Sequence, residues 1–125
     1  METIDKLSMI QMAVANVEKA KEFYTEKLGF KVASDTKDFL PGTDRWVSVV
    51  PPGGGATITL TNVFENMKPG TLKLYLSTSD VEAACKELKA KDIKLNNKVT
   101  DDSWGKWFDL NDPDGNRWLI VQSKY

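Results

Sequence analysis

Two groups of residues in this chain have types and spacing suited to chemistry. Gln11, Thr59, Lys73, Ser77 and Asp109 are polar residues set among apolar neighbours in strand-like runs; Phe39, Trp46, Tyr75, Trp104 and Trp107 are aromatic residues close to the same runs. A lysine at position 73 has three readings. Its ammonium can reach into solvent or pair with an acid such as Asp109, it can bind an anionic ligand, or with a lowered pKa it can act as base or nucleophile. The aromatics either fill a small core and seal an interface, or form a stacking pocket for a flat or apolar ligand. Arg45 and Arg117 add positive charge nearby, with surface roles as the simpler assignment.

Much other chemistry is excluded. The 125 residues contain no histidine and a single cysteine, Cys85. Ser-His-Asp and Cys-His catalysis are therefore impossible, and the commonest transition-metal ligand is missing. A zinc site would rest almost entirely on carboxylates, an improbable donor set for that metal. The glycines of Pro51-Pro52-Gly53-Gly54-Gly55 suggest a phosphate loop, but they join two strands and no helix follows, so a flexible hairpin is the better reading. The acidic run Asp112-Pro113-Asp114-Gly115-Asn116 lacks calcium-loop spacing. Its proline, glycine and Asx residues instead mark a tight turn whose side chains bond its own backbone. Cys85 sits on an apolar helix stripe, where a thiol is inert packing.

The elements that must position these residues follow from hydrophobic period. Residues 8–14 alternate, with Ile10, Met12 and Val14 on one face and Met9, Gln11 and Ala13 on the other. Asn16 is placed to cap a helix running to Leu28, with Val17, Ala20, Phe23, Tyr24 and Leu28 as its apolar stripe and Gly29 ending it. Short strands are expected at 30–33, 45–50 and 56–61, with a mobile loop over 34–44. Residues 64–70 form a linker, after which the pattern restarts. Leu72, Leu74 and Leu76 alternate with Lys73, Tyr75 and Ser77; Ser79 to Glu82 forms a capping box; Val81, Ala84, Cys85 and Leu88 make a second stripe. A short strand is expected at 93–95, and 104–122 reads as a hairpin closed by the DPDGN turn.

The two halves match in order and in letters. Arg45-Trp46 corresponds to Lys106-Trp107, and after the turn Thr59 lies opposite Leu119. The chain is thus one domain, 1–125, of two βαβββ units at about 6–63 and 71–125. Either unit is too small to bury its sheet alone, so the two are expected to pair, helices covering one sheet face and the opposite faces curving round a cavity.

In this arrangement VANVEKAKEFYTEKLGF (14–30), RWVSVVPPG (45–53) and WGKWFDLNDPDGN (104–116) resemble the vicinal oxygen chelate superfamily, the glyoxalase, bleomycin-resistance and extradiol-dioxygenase group. The resemblance implies an α+β fold in which two tandem βαβββ units form an incomplete barrel. It also implies a metal ligand on the first and last strand of each unit. Carried over by the motifs, those positions are Met9, Thr59, Lys73 and Leu119, where the family uses His or Glu. All four lie on the faces that alternation alone turns away from the helices. Threonine without carboxylate neighbours is a poor ligand and an ammonium repels divalent cations, so no metal and no other cofactor is expected.

The resulting expectation is a metal-independent small-molecule-binding protein of the bleomycin-resistance type, with no catalytic residue. It would hold an aromatic or anionic compound against Gln11, Trp46, Thr59, Lys73, Tyr75, Trp107 and Leu119. The competing expectations are a glyoxalase-like lyase or isomerase, or a dioxygenase-related enzyme, with a non-standard site, and a module that binds a protein. Charge is balanced, 17 basic against 18 acidic residues, without a basic block, which argues against nucleic acid and anionic membranes. No apolar run is long enough to span a bilayer, and the single cysteine fits a reducing cytoplasm. A homodimer is what the resemblance implies; whether units pair within or between chains is left open.

Overall fold

The computed structural model describes residues 3–37, 45–63 and 66–124. The chain divides into two compact units, Met1–Lys68 and Pro69–Tyr125. The first contains β1 (Met9–Ala13), α1 (Val17–Glu22), β2 (Lys31–Lys37), β3 (Arg45–Val50) and β4 (Thr57–Thr61). The second contains β5 (Lys73–Ser77), α2 (Val81–Ala90), β6 (Thr100–Asp102), β7 (Gly105–Asn111) and β8 (Arg117–Ser123). The fold is α+β, with a mixed four-stranded sheet in each unit, ordered β1-β4-β3-β2 and β5-β8-β7-β6. The first strand of each unit runs parallel to the last, the other neighbours are antiparallel, and neither sheet closes on itself.

The repeat read from the letters is present in the ladder. Val47 pairs with Leu60, and at the corresponding place in the second unit Phe108 pairs with Ile120. Met9 opposite Thr57 becomes Lys73 opposite Arg117. Each helix covers one face of its own sheet. In the first unit that face buries Met12, Val47, Val49, Ile58 and Leu60 beneath Val17, Ala20 and Tyr24. The buried Tyr24 hydroxyl donates to Met12 Sδ at 3.4 Å, so the phenol is not left unsatisfied. In the second unit Phe108, Leu110, Trp118 and Ile120 lie under Val81 and Cys85.

Several elements differ from the expected ones, each for a local reason. The first helix keeps α geometry only to Glu22 and then widens into a π-helical turn, Phe23–Lys27, closed by Leu28 N–H to the Phe23 carbonyl at 3.2 Å. Within it Thr25 turns its hydroxyl back onto the Lys21 carbonyl at 2.8 Å, competing with the backbone ladder. The wider turn buries Tyr24 against Phe30, with centroids 5.5 Å apart, and leaves Phe23 and Leu28 only half-buried. The second helix is capped by Asp80, which accepts from Ala83 N–H at 3.1 Å, rather than by Ser79. β2 runs on to Lys37, so the expected loop begins later; residues 38–44, Phe39 included, lie outside the described residues.

The strand expected at 93–95 is reduced to one bridge, Leu95 to Leu110. Asn96 and Asn97 break the alternation there. Asn97 Oδ1 accepts from Asp109 N–H at 2.8 Å, and the edge strand forms further on as β6.

The DPDGN turn joins β7 to β8 and also anchors β5. Asp112 Oδ1 accepts from the backbone N–H of Asp114 at 3.0 Å and of Asn116 at 2.8 Å, while Oδ2 accepts from Asn116 Nδ2 at 2.8 Å. Asn116 Oδ1 in turn accepts from Leu72 N–H at 3.0 Å, and both side chains are buried. Gly70 packs against the turn with φ +80°, and a Cβ on it would collide with the Asp114 carbonyl oxygen. Gly70→Ala is therefore expected to destabilise the protein by more than about 2 kcal/mol in urea or thermal unfolding. Gly53→Ala, which meets no atom within 4 Å, should stay within about 0.5 kcal/mol of wild type.

Candidate functional site

Strand alternation gives each sheet a second face, turned away from its helix. On the first unit this face carries Met9 and Gln11 of β1, Thr57 and Thr59 of β4, Trp46 and Ser48 of β3, and Ser34 of β2. Gln11 stands directly opposite Thr59 and is exposed, whereas Thr59 is buried and Trp46 half-buried. The Thr59 hydroxyl donates to Met9 Sδ at 2.8 Å, and the Ser34 and Ser48 hydroxyls share a hydrogen bond of 2.6 Å. Among the described residues its one charged member in the ladder is Lys31 at the β2 edge, opposite Val50.

The corresponding face of the second unit is charged and aromatic. Along its central strand β8 it forms three rungs. Lys73 and Asn111 flank Arg117 in the first, Tyr75 and Asp109 flank Leu119 in the second, and Ser77 and Trp107 flank Val121 in the third. Lys73 and Tyr75 are exposed, with the Lys73 ammonium 5.7 Å from the centre of the Tyr75 ring, and Leu119 is buried. Trp107 Nε1 donates to Asp102 Oδ2 at 2.8 Å, which fixes the indole. Trp104 stacks on Trp107 with centroids 6.2 Å apart and an interplanar angle of 17°, and remains 41% exposed.

Two charge assignments change. Lys73 does not pair with Asp109; the partner of that buried carboxylate is Arg117, whose Nε donates to Oδ2. Arg117 is thus a member of this face, with its side chain still 43% exposed. Sequence reasoning had a signal for it in the alternation of β8, where Arg117 shares parity with Leu119. Arg45, by contrast, lies on the helix side. It bridges Glu18 and Asp35, the latter at 2.6 Å, and Lys21 reaches the same Asp35 oxygen at 2.7 Å. A cleft of about 260 Å³ opens there, lined by Ala15, Asn16, Val17, Glu18, Arg45 and Asn62, its charges already paired with one another.

The four positions at which the resemblance implies metal ligands do not fit a metal. Met9 and Thr59 offer a thioether and a hydroxyl that is already bonded to it; Lys73 and Leu119 offer an ammonium and an alkyl group. Among the described residues no three His, Cys, Asp or Glu side chains gather in a way that would hold an ion. Also among them, no helix is long and apolar enough to cross a membrane.

Two βαβββ repeats, each with a parallel pair formed by its first and last strands, define a class of proteins built from one small unit used twice. Within that class the chain belongs to the Glyoxalase/Bleomycin resistance protein/Dioxygenase superfamily, whose model matches residues 6–120. It is similar to TnmS3, an antibiotic binding protein from Streptomyces sp. CB03234, at 32% identity, with 97% of this chain and 98% of that one covered and a TM-score of 0.87. A glyoxalase/bleomycin resistance protein from the same organism is 33% identical over 92% of this chain and 98% of its own, with a TM-score of 0.79. YetH of Bacillus subtilis (strain 168), an uncharacterized protein, is 22% identical over 95% of this chain and 99% of its own.

The ion-pair network on the helix side has a pH signature. Arg45 holds the Glu18 carboxyl below the usual carboxylate range; Lys21 and then Arg45 do the same for Asp35, and the Arg45 guanidinium is raised in return. Depressed carboxylate pKa values contribute stability that is present above the unfolded-state values and is lost as pH falls through the folded-state ones. Arg45→Met should therefore flatten the fall of the urea midpoint below about pH 5 and leave the slope around neutrality unchanged.

Proposed function

We propose that this is a small-molecule-binding protein of the bleomycin-resistance type that works without a metal ion, taking up an aromatic or anionic compound on the sheet faces turned away from the helices. The observation that carries the reading is the face of the second unit. A stacked tryptophan pair, an exposed tyrosine and an ammonium with no carboxylate partner among the described residues share one side of one sheet, where packing under a helix makes no demand for them. Exposed indole and phenol rings present area for stacking at little cost in side-chain entropy. The matching face of the first unit, taken by itself, offers the Gln11 amide opposite the Thr59 hydroxyl and the ring of Trp46. The antibiotic-binding protein TnmS3, alike along nearly the whole chain, supports the reading. The donor set at Met9, Thr59, Lys73 and Leu119 supports metal independence.

Titration of planar aromatic compounds against tryptophan emission tests this directly. Binding should quench or shift the emission, survive exhaustive chelation unchanged, and weaken about tenfold in Trp107→Ala, the loss expected when one stacking ring is removed. Native mass spectrometry after growth with divalent metals supplied reports the other half. A stoichiometric retained metal ion would overturn the metal-independent reading and return the enzyme alternative.

A further inference from the structure

The structure assigns the face of the second unit a more particular ligand: an elongated planar aromatic compound with a single carboxylate at one end, gripped by Lys73 and Arg117. This rests on the small-molecule-binding reading above. Lys73 and Arg117 are direct partners across the parallel β5–β8 pair, so their backbones are about 5 Å apart. Both side chains reach the same face. Arg117 spends its Nε–H on Asp109, and among the described residues no acceptor meets either terminal NH₂ group. Those groups and the Lys73 ammonium, which has no carboxylate partner there, form a donor set matched to a two-oxygen anion.

Charge and distance restrict the ligand further. Two cations on the first rung and the Asp109 carboxylate on the second, bonded diagonally to Arg117, leave one net positive charge, which suits a monoanion. From Arg117 to Val121, the residue opposite Trp107, is four residues along β8, about 13 Å. Between them lie the Tyr75 ring and the Leu119 side chain, with no further charged group than Asp109 itself. An anion at the first rung thus directs an apolar body over the exposed Tyr75 ring, above the buried Leu119, toward the tryptophan pair, a span that suits about three fused rings.

The first unit shows that the architecture does not require these charges. In the matching registers it has Met9 for Lys73, Thr57 for Arg117 and Ser48 for Asp109, and the same ladder forms. A buried carboxylate and its guanidinium are, moreover, weak stabilisers compared with well-packed apolar residues. Asp109 is therefore a positioning residue. It turns the Arg117 fork so that its outer edge meets the ligand, and from the neighbouring rung it lowers the net charge of the cation pair.

Calorimetric titration of the full chain with anthracene-2-carboxylate and its primary amide separates the outcomes. The acid should bind at least about tenfold more tightly than the amide, and 2-naphthoate and benzoate progressively more weakly. Lys73→Met should remove most of that preference, lowering the affinity for the acid by a larger factor than that for the amide. Arg117→Met should do the same, but it strands the Asp109 carboxylate, so Lys73→Met is decisive if Arg117→Met fails to fold. Asp109→Asn should shift the ratio of 2-naphthyl phosphate to 2-naphthoate affinity toward the phosphate, a change that a merely structural role would not produce. Equal binding of acid and amide, or a preference untouched by Lys73→Met, overturns the clamp and leaves the aromatic-binding reading standing. Binding of neither overturns both.

Discussion

The buried carboxylate of Asp112 is the constraint on which the second unit depends. One oxygen gathers two backbone N–H groups of its own turn and the other holds the Asn116 amide. A charge-assisted node of this kind is stronger than an ordinary turn bond and leaves no buried donor unmet. Its reach extends beyond the turn. Asn116 passes the constraint to Leu72 N–H, and Arg117 N–H donates to the Leu72 carbonyl at 2.9 Å, so the two bonds bracket the start of the β5–β8 pair. The next residue along β5 is Lys73, and its register against Arg117 is the direct result. A turn without chemistry of its own thus decides which two cations stand side by side.

The first unit makes the equivalent junction differently. Thr57 N–H donates to the Ser8 carbonyl at 3.0 Å, the counterpart of Arg117 to Leu72, with the Thr57 hydroxyl reaching the same carbonyl at 3.4 Å, and the turn itself is closed by Gly54 N–H to the Pro51 carbonyl at 2.9 Å. Among the described residues no buried carboxylate stands behind it. The ladders are nonetheless in the same register, because apolar alternation on the helix side fixes parity wherever one face is buried. The turn chemistry governs how firmly the junction is held; the alternation governs which residues face where.

This division explains what was legible in the sequence. Period-two patterns placed Gln11 and Thr59 on one face and Lys73, Tyr75, Trp107 and Leu119 on the other unit's matching face, because each strand has a buried side that tolerates only apolar residues. The letters of the repeat placed Trp46 and Trp107 in equivalent registers for the same reason. β6 was not legible. Thr100, Asp101 and Asp102 form a three-residue edge strand paired on one side only, with no apolar face to leave a pattern, whereas Ile93 and Leu95 carried a pattern that two asparagines then diverted. The π-helical turn was equally hidden, since Val17, Ala20 and Tyr24 satisfy helical spacing whether or not the backbone widens after them. Side-chain pairing was harder still. Alternation placed Lys73 and Asp109 on one face, but the choice of Arg117 as the acid's partner depends on diagonal geometry that composition does not record.

The positions that the family resemblance marks for metal ligands show how much of a site is backbone. Met9 and Thr59 are diagonal across β1 and β4, as Lys73 and Leu119 are across β5 and β8. The same register therefore presents two side chains in the same relation in both units. What they present differs in kind. In the first unit the pair satisfies itself, hydroxyl to thioether, and has little left to offer a partner. In the second an ammonium stands beside an alkyl group; the alkyl group is buried and the ammonium is exposed. Burying both would cost the desolvation of a charge, and exposing both would leave apolar area in water. The arrangement that avoids both penalties keeps the apolar member inward and the cation outward. The fold supplies the diagonal, and the side chains alone decide what it is for.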